Sequence, residues 1–297
     1  MFNRTTLWPV LALTLNAFTW GVSWWPFRWL EARGLHALWA TAMIYALTVV
    51  VITAWRPRAW GELLRTPSLW WLVLAAGTTN AAFNWAVTIG DVVRVVLLFY
   101  LMPLWAVLLA RPLLGERLTP LALLRVVLAL AGALIVLWPA EGGGVPLPRS
   151  LAEVLGVIGG FAFALNNVML RREAHRSEAA RALAMFSGGM FVAGALALAL
   201  GASGAVPLPP APAAAWLLGC IGLSVVFLAG NLALQYGAAR LPANATAVVM
   251  ITEVLFASAS AVALGAGQLT AALAWGGALI MGAALLAAVG DRAGSAH

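Results

Sequence analysis

Glu253 stands well inside the apolar run 246–264, and it is the acidic residue placed deepest in any such run of this 297-residue chain. A carboxyl in that position can bind an ammonium group or carry a proton. It can equally serve as a protonated or hydrogen-bonded link between helices. Pro103 interrupts an earlier run, 95–113, at a similar depth. Proline has no N–H, so the carbonyl it frees can line a cavity, or the helix can simply kink. Tyr100 lies beside that break.

Amide and hydroxyl groups recur around these two positions at helical spacing. Gly77, Asn80, Asn84 and Thr88 share one face, and Ser224, Asn231 and Gln235 share another. Asn16, Thr19, Trp20 and Ser23 form a third stripe, while Asn166 and Asn167 are neighbours that cannot both face the same way. Amides can hydrogen-bond both a carboxylate and an ammonium without burying a full charge. The expected substrate-binding set is Asn16, Trp20, Asn80, Asn84, Tyr100, Phe163, Asn166, Asn231 and Gln235. Trp20, Tyr100, Phe163 and Trp105 would supply apolar walls, and Glu253 and Pro103 a coupling or structural role. The bland alternative is glue between helices, at about 0.6 kcal/mol per polar pair.

Other chemistry lacks its residues. There is no GxxxxGK[ST] loop for a nucleotide. His36, His175 and His297 fall in expected loops or at the end of the chain, away from any nucleophile, so no hydrolase constellation arises. No His/Cys/Asp/Glu grouping has metal spacing. The expectation is a non-enzyme with no cofactor and no metal. The single cysteine, Cys220, reads as a small buried hydrophobe.

The elements that must hold these residues follow from composition. Apolar residues make up 63% of the chain, charged residues 9%, and mean hydropathy is +0.96. Soluble domains are about 45–50% apolar and 25% charged, so the solvent for most of this chain is lipid. A span takes roughly 20 apolar residues. Cutting at Arg, Pro, Gly and polar clusters gives ten: 8–28, 37–55, 69–89, 95–113, 121–139, 151–170, 181–200, 214–236, 246–264 and 270–289.

All 17 basic residues are arginine, and with the N-terminus inside they divide unequally. Arg4, Arg56, Arg58, Arg65, Arg111, Arg117, Arg125, Arg171, Arg172, Arg176, Arg181, Arg240 and Arg292 fall at inner ends; Arg28, Arg33, Arg94 and Arg149 fall at outer ends. That bias places both termini in the cytoplasm. The net charge of +7 is spread between apolar runs, which argues against a nucleic-acid partner. Trp8, Trp29, Trp55, Trp60, Trp70, Trp71, Trp138 and Trp216 fall near span ends, as an interfacial aromatic belt would.

The chain also repeats itself. From Leu113 it reads LLGERLTPLALLRVVLALAGALIVL, and from Ala263 it reads ALGAGQLTAALAWGGALIMGAALLA. Gly115 aligns with Gly265 and, after a one-residue slip, Leu118-Thr119 with Leu269-Thr270. Ala17–Gly21 echoes Gly160–Ala164. Five spans per repeat is odd, so residues 1–145 and 146–297 would cross the membrane in opposite senses, as the inverted halves of secondary transporters do.

Ten spans in two five-helix repeats, with Pro103 followed by Gly115-Glu116-Arg117-Leu118-Thr119, resemble the EamA-type members of the drug/metabolite transporter superfamily. Over nearly all of 8–290 the chain is most similar to the bacterial YddG-type aromatic amino-acid exporters. The second repeat departs from the motif: Glu253 stands where Pro103 does, and Ala266 where Glu116 does. The resemblance implies export of small metabolites, aromatic and other neutral amino acids first, by alternating access across a bacterial inner membrane. Multidrug or lipophilic-cation export within the same superfamily is the alternative, and a passive channel a more distant one. The expected partners are a small-molecule substrate and the lipid bilayer, with the protein a monomer or weak homo-oligomer.

Overall fold

In lipid a spanning backbone must satisfy its own hydrogen bonds, and this sequence meets that requirement with helices alone. The computed structural model describes residues 4–115, 119–138, 147–238, 240 and 243–290, and every regular element among them is helical. These are α1 (Arg4–Val22), α2 (Trp24–Glu31), α3 (Ala37–Trp55), α4 (Arg58–Arg65), α5 (Pro67–Ile89), α6 (Val92–Phe99), α7 (Met102–Leu114), α8 (Pro120–Leu137), α9 (Leu151–Arg172), α10 (Glu178–Ala202), α11 (Ala214–Ala238), α12 (Ala243–Ala263) and α13 (Ala271–Gly290). Seven stretches of described helix are long and apolar enough to cross a bilayer: Ala37–Trp55, Pro67–Ile89, Val92–Leu114, Pro120–Leu137, Leu151–Arg172, Glu178–Ala202 and Ala214–Leu234. Thr252–Ala263 and Ala271–Ala283 are shorter apolar helices. The chain is a multi-pass membrane protein, all-helical in its described residues.

Local chemistry explains where helices stop. Gly115 and Gly265 both adopt left-handed backbone, φ 72° and 68°, a conformation that glycine enters without a Cβ clash. They end α7 and α12. Thr119 then accepts from the Ala122 N–H at 3.1 Å to cap α8, and Thr270 accepts from Leu273 N–H at 3.2 Å to cap α13. The repeated glycine and threonine are thus a stop and a start, doing the same job in both places. Proline makes the interior breaks. Pro26 cannot donate to the Val22 carbonyl, and the helix is interrupted at Ser23, between α1 and α2. Pro103 cannot donate to the Phe99 carbonyl, and Tyr100-Leu101 form a turn between α6 and α7.

Three sequence expectations are corrected. The first run, 8–28, is two helical segments and continues to Glu31, because Pro26 breaks it without ending it. The expected loop after Trp55 contains α4, a short helix whose Ala59 and Leu63 are buried on the bundle. Trp216 does not join an interfacial belt: it is 5% exposed, with its indole N–H on the Ala211 carbonyl at 3.2 Å. Trp8, Trp55, Trp71 and Trp138 are exposed on the outer surface of the bundle.

Packing crosses the middle of the sequence. The helix α1 lies on α11 and α12, and α9 lies on α5 and on α6–α7. Similarly, α3 packs on α10 and α11 while α10 packs on α5, and α8 pairs with α13. Close approach is set by glycine. Gly132 and Gly276 face each other's backbone across α8 and α13, and a Cβ on Gly77 or Gly188 would collide with the opposite backbone where α5 crosses α10.

Candidate functional site

The break in α6–α7 organises the centre. A Cβ on Gly160 of α9 would collide with the Phe99 carbonyl oxygen, and Gly156, one turn earlier, seats Val95. Thus α9 offers a glycine to the one carbonyl that Pro103 leaves without its helical donor. Just beyond this carbonyl, the buried Tyr100 turns its hydroxyl to α12 and donates to the Glu253 carboxylate at 3.2 Å. Among the described residues no arginine pairs with Glu253. The backbone of Glu253 is held from the other side: a Cβ on Gly21 of α1 would sit 2.8 Å from the Glu253 carbonyl oxygen. The carboxyl therefore points from α12 toward the α6–α7 break.

Next to Gly21, Trp20 stacks on Phe227 of α11, with ring centroids 4.6 Å apart. Phe227 in turn meets Tyr45 of α3 at 6.3 Å, and the Tyr45 hydroxyl donates to the Asn80 side-chain oxygen of α5. On the other flank, Phe163 of α9 packs on Phe99 at 5.3 Å, and Phe99 on Tyr100 at 6.1 Å. A path of contacts thus runs from Asn80 through Tyr45 and Phe227 to Trp20, and through its neighbour Gly21 to Glu253 and Tyr100, drawing on five helices and the α6–α7 turn. Its aromatic section borders a crevice of about 340 Å³ between α1–α2, α11 and α12, lined among others by Thr19, Ser23, Phe227 and Ser260.

The sequence-derived candidates divide. Trp20, Asn80, Tyr100, Phe163 and Glu253 meet in this path. Asn16 and Asn84 are fully buried and tie helices together: the Asn16 amide donates to the Gly230 carbonyl at 2.8 Å, and the Asn84 amide to the Thr41 hydroxyl at 3.0 Å. The side-chain oxygens of Asn16, Asn84 and Asn166 are buried without a hydrogen-bond donor among the described residues. Asn166 is buried and Asn167 exposed, as adjacent helical positions require. Asn231 is half-buried and bonded. Pro103 sits in the first turn of α7; its side chain and that of Gln235 on α11 lie outside the described residues. Trp105 is half-buried, edge-on to Phe161 at 5.5 Å. The sequence reading passed over Tyr45 and Phe227. Only Tyr45's status as one of three tyrosines, in the middle of an apolar run, signalled it.

One end of the bundle is laced shut around Asp91. The Arg28 guanidinium donates to the Val87 carbonyl at 2.7 Å and to the Gly90 carbonyl. Asp91 caps α6 through the Arg94 N–H and receives the Gln268 N–H, both at 2.9 Å. The Val92 N–H reaches the Ala266 carbonyl at 3.2 Å, and Arg94 pairs with Glu153 at 2.7 Å. This rim joins α2, α5, α6, α9 and the α12–α13 turn at the arginine-poor end.

Residues 7–138 match the model of the EamA-like transporter family. Over these residues the chain is similar to that family. The EamA-like segment covers α1 to α8, and so contains Trp20, Asn80, Tyr100 and the Gly115–Thr119 stop and start. A curated relative, the "Chloramphenicol-sensitive protein RarD" of Pseudomonas aeruginosa, is 34% identical over 122 residues, 38% of this chain and 40% of RarD. The match thus spans about two fifths of that relative's length. A solved crystal structure of a protein with 20% sequence identity aligns with 96% of this chain and 99% of its own, at a TM-score of 0.54. At that identity the likeness concerns the fold alone.

Proposed function

We propose that the protein is a secondary transporter that exports small amphipathic metabolites, aromatic and other neutral amino acids first, by alternating access. The observation that carries this reading is the Tyr100–Glu253 bond, 3.2 Å long, between a proline-broken helix and α12. A carboxyl inside a membrane bundle, held by a hydroxyl and by no cation among the described residues, is suited to receive an ammonium group or a proton. The aromatic faces of Trp20, Phe227 and Phe163 suit an apolar side chain, and the Tyr45–Asn80 pair suits a carboxylate.

The packing supports an inverted-repeat mechanism over residues 1–145 and 146–297, with ten spans and both termini cytoplasmic. Take α1–α2, α3, α5, α6–α7 and α8 as equivalents of α9, α10, α11, α12 and α13. Then α1 on α11 and α12 corresponds to α9 on α5 and α6–α7, and α3 on α11 to α10 on α5. Such halves can exchange shapes and expose a shared site to one side and then the other. The laced rim at Asp91 is the closed outer gate in this reading.

The same carboxyl favours a second reading, a lipophilic-cation or drug exporter, in which Glu253 meets the cation directly. Counterflow in tight proteoliposomes separates the two. Vesicles preloaded with unlabelled phenylalanine, tryptophan, threonine or a lipophilic cation would be tested for uptake of labelled phenylalanine. Saturable uptake supported by aromatic preloads is expected. No uptake with any amino acid, in vesicles holding folded protein, would leave the cation reading.

A further inference from the structure

The helix α4 joins two membrane-spanning helices, with Trp55 at the end of α3 on one side and Pro67 at the start of α5 on the other. Its length and connections hold it at the membrane surface, at the arginine-rich end of the bundle. Its residues fall in three sectors of the helical wheel. Ala59 and Leu63 are buried on the bundle. Trp60 and Leu64, one turn apart, form an apolar flank on which Leu64 is 62% exposed. Arg58, Gly61, Glu62 and Arg65 occupy the remaining sector, which faces a concavity of about 560 Å³ closed by Thr66 and by Arg176 of the α9–α10 connection.

The charges in this concavity do not cancel. Glu62 is engaged elsewhere: its two oxygens accept the Ser177 N–H and hydroxyl, at the N-terminus of α10. Arg176 leans on Glu173 at 3.5 Å, which Arg172 also approaches at 4.0 Å. Among the described residues, Arg58 and Arg65 have no hydrogen-bond or ionic partner. Three guanidinium groups thus converge on a hollow at the level of the membrane surface, beside an exposed apolar flank and the exposed indoles of Trp55 and Trp71.

We infer that this hollow is a binding site for the headgroup of an anionic phospholipid. Guanidinium forks match phosphate oxygens in geometry and charge. Basic pockets at the membrane surface select anionic headgroups, and the Trp60–Leu64 flank gives the acyl chains an apolar surface to follow. A free phosphate would find the same arginines but would gain nothing from that flank. The site is separate from the Tyr100–Glu253 centre and does not depend on the transport reading.

The test uses the purified full chain in a neutral detergent. Phosphatidylglycerol, phosphatidylcholine and inorganic phosphate would be titrated in turn, with retained lipid read by native mass spectrometry and the melting temperature read in parallel. Phosphatidylglycerol is expected to bind and raise the melting temperature, phosphatidylcholine to do neither, and phosphate to do so only at far higher concentration. Exchanging Arg58→Gln together with Arg65→Gln removes two exposed, unpaired cations and should weaken phosphatidylglycerol binding on the order of 10- to 30-fold. Glu62→Gln removes the carboxylate and should bind at least as tightly as wild type. Equal retention of phosphatidylcholine, an unchanged affinity in the arginine double variant, or a loss in Glu62→Gln as large as in that variant would overturn the lipid site. Full stabilisation by low phosphate alone would identify a small-anion site instead and overturn it equally.

Discussion

The Tyr100 hydroxyl and the Glu253 carboxylate lie 3.2 Å apart although 153 residues separate them in sequence. Each is fixed by a different neighbour, Tyr100 by the turn that Pro103 imposes and Glu253 by the crossing of α12 over Gly21. A bond between two such anchored groups should be energetically coupled. A double-mutant cycle of Tyr100→Phe and Glu253→Gln, read by unfolding in mixed micelles, is expected to return about 0.6–1.7 kcal/mol, the range for polar pairs between membrane helices. Additive effects would mean that the two groups act independently. In the transport assay Glu253→Gln should abolish or reshape the pH dependence of uptake, and unchanged uptake at every pH would remove Glu253 as a carrier.

Glycine positions that look alike in sequence should differ sharply in tolerance. A Cβ on Gly160 collides with the Phe99 carbonyl, whereas one on Gly222 of α11 meets nothing within 4 Å. Gly160→Ala should therefore destabilise by about 1–3 kcal/mol, because α9 must move off α6. Gly222→Ala should be neutral or stabilise by up to about 1 kcal/mol through helix propensity. Comparable melting temperatures for the two variants would contradict the close crossing.

These cases also show what the sequence discloses and what it withholds. Runs such as 37–55 and 151–170 were readable because hydrophobicity and the breaks between runs are local properties. The 115–119 and 265–270 repeats were readable for the same reason, since a left-handed glycine and a capping threonine act within one turn. Asn80 and Asn84 show the limit. Both lie on one polar stripe, yet Asn84 is spent on Thr41 and Asn80 meets Tyr45 beside the aromatic path. Spacing along one helix cannot tell them apart, because the difference lies in which helix arrives opposite. Trp216 makes the same point: a tryptophan at a span end faces lipid or core according to its neighbours.

The rim at Asp91 should control access to the centre from its side. Val93, 1% exposed, lies within it, against Gly267. In a Cys220→Ser background, Val93→Cys should react slowly with a membrane-impermeant thiol reagent. Adding Asp91→Asn and Arg94→Gln removes the carboxylate that holds the Gln268 N–H and the partner of Glu153. Labelling is then expected to rise about tenfold or more, reflecting loss of roughly 1–2 kcal/mol of closure from polar ties at a partly exposed site. An unchanged rate would mean that apolar packing of α6 against the α12–α13 turn is sufficient to hold the rim shut.

At the opposite end, Glu62 offers a test by pH. Its carboxyl is held below the ordinary carboxylate range, chiefly because the Ser177 hydroxyl and N–H donate to it, with Arg176 and His175 adding to the effect. A pKa lower in the folded than in the unfolded protein means that folding favours the ionised form. Its contribution is therefore present above the unfolded carboxylate value, about 4.3, and is lost as pH falls through the folded one. Glu62→Gln imitates the protonated state. At pH 7 it should melt slightly below wild type, by about 1–2 °C for an exposed tie of this kind. As pH falls through the folded value the two curves should converge, since wild type then loses the charge as well. A gap that persists or widens at low pH would assign the effect to the shape of the side chain, and Ser177→Ala would then be expected to leave it in place. If ionisation is the cause, Ser177→Ala should close the gap at pH 7 by removing the hydroxyl that draws the carboxylate to α10.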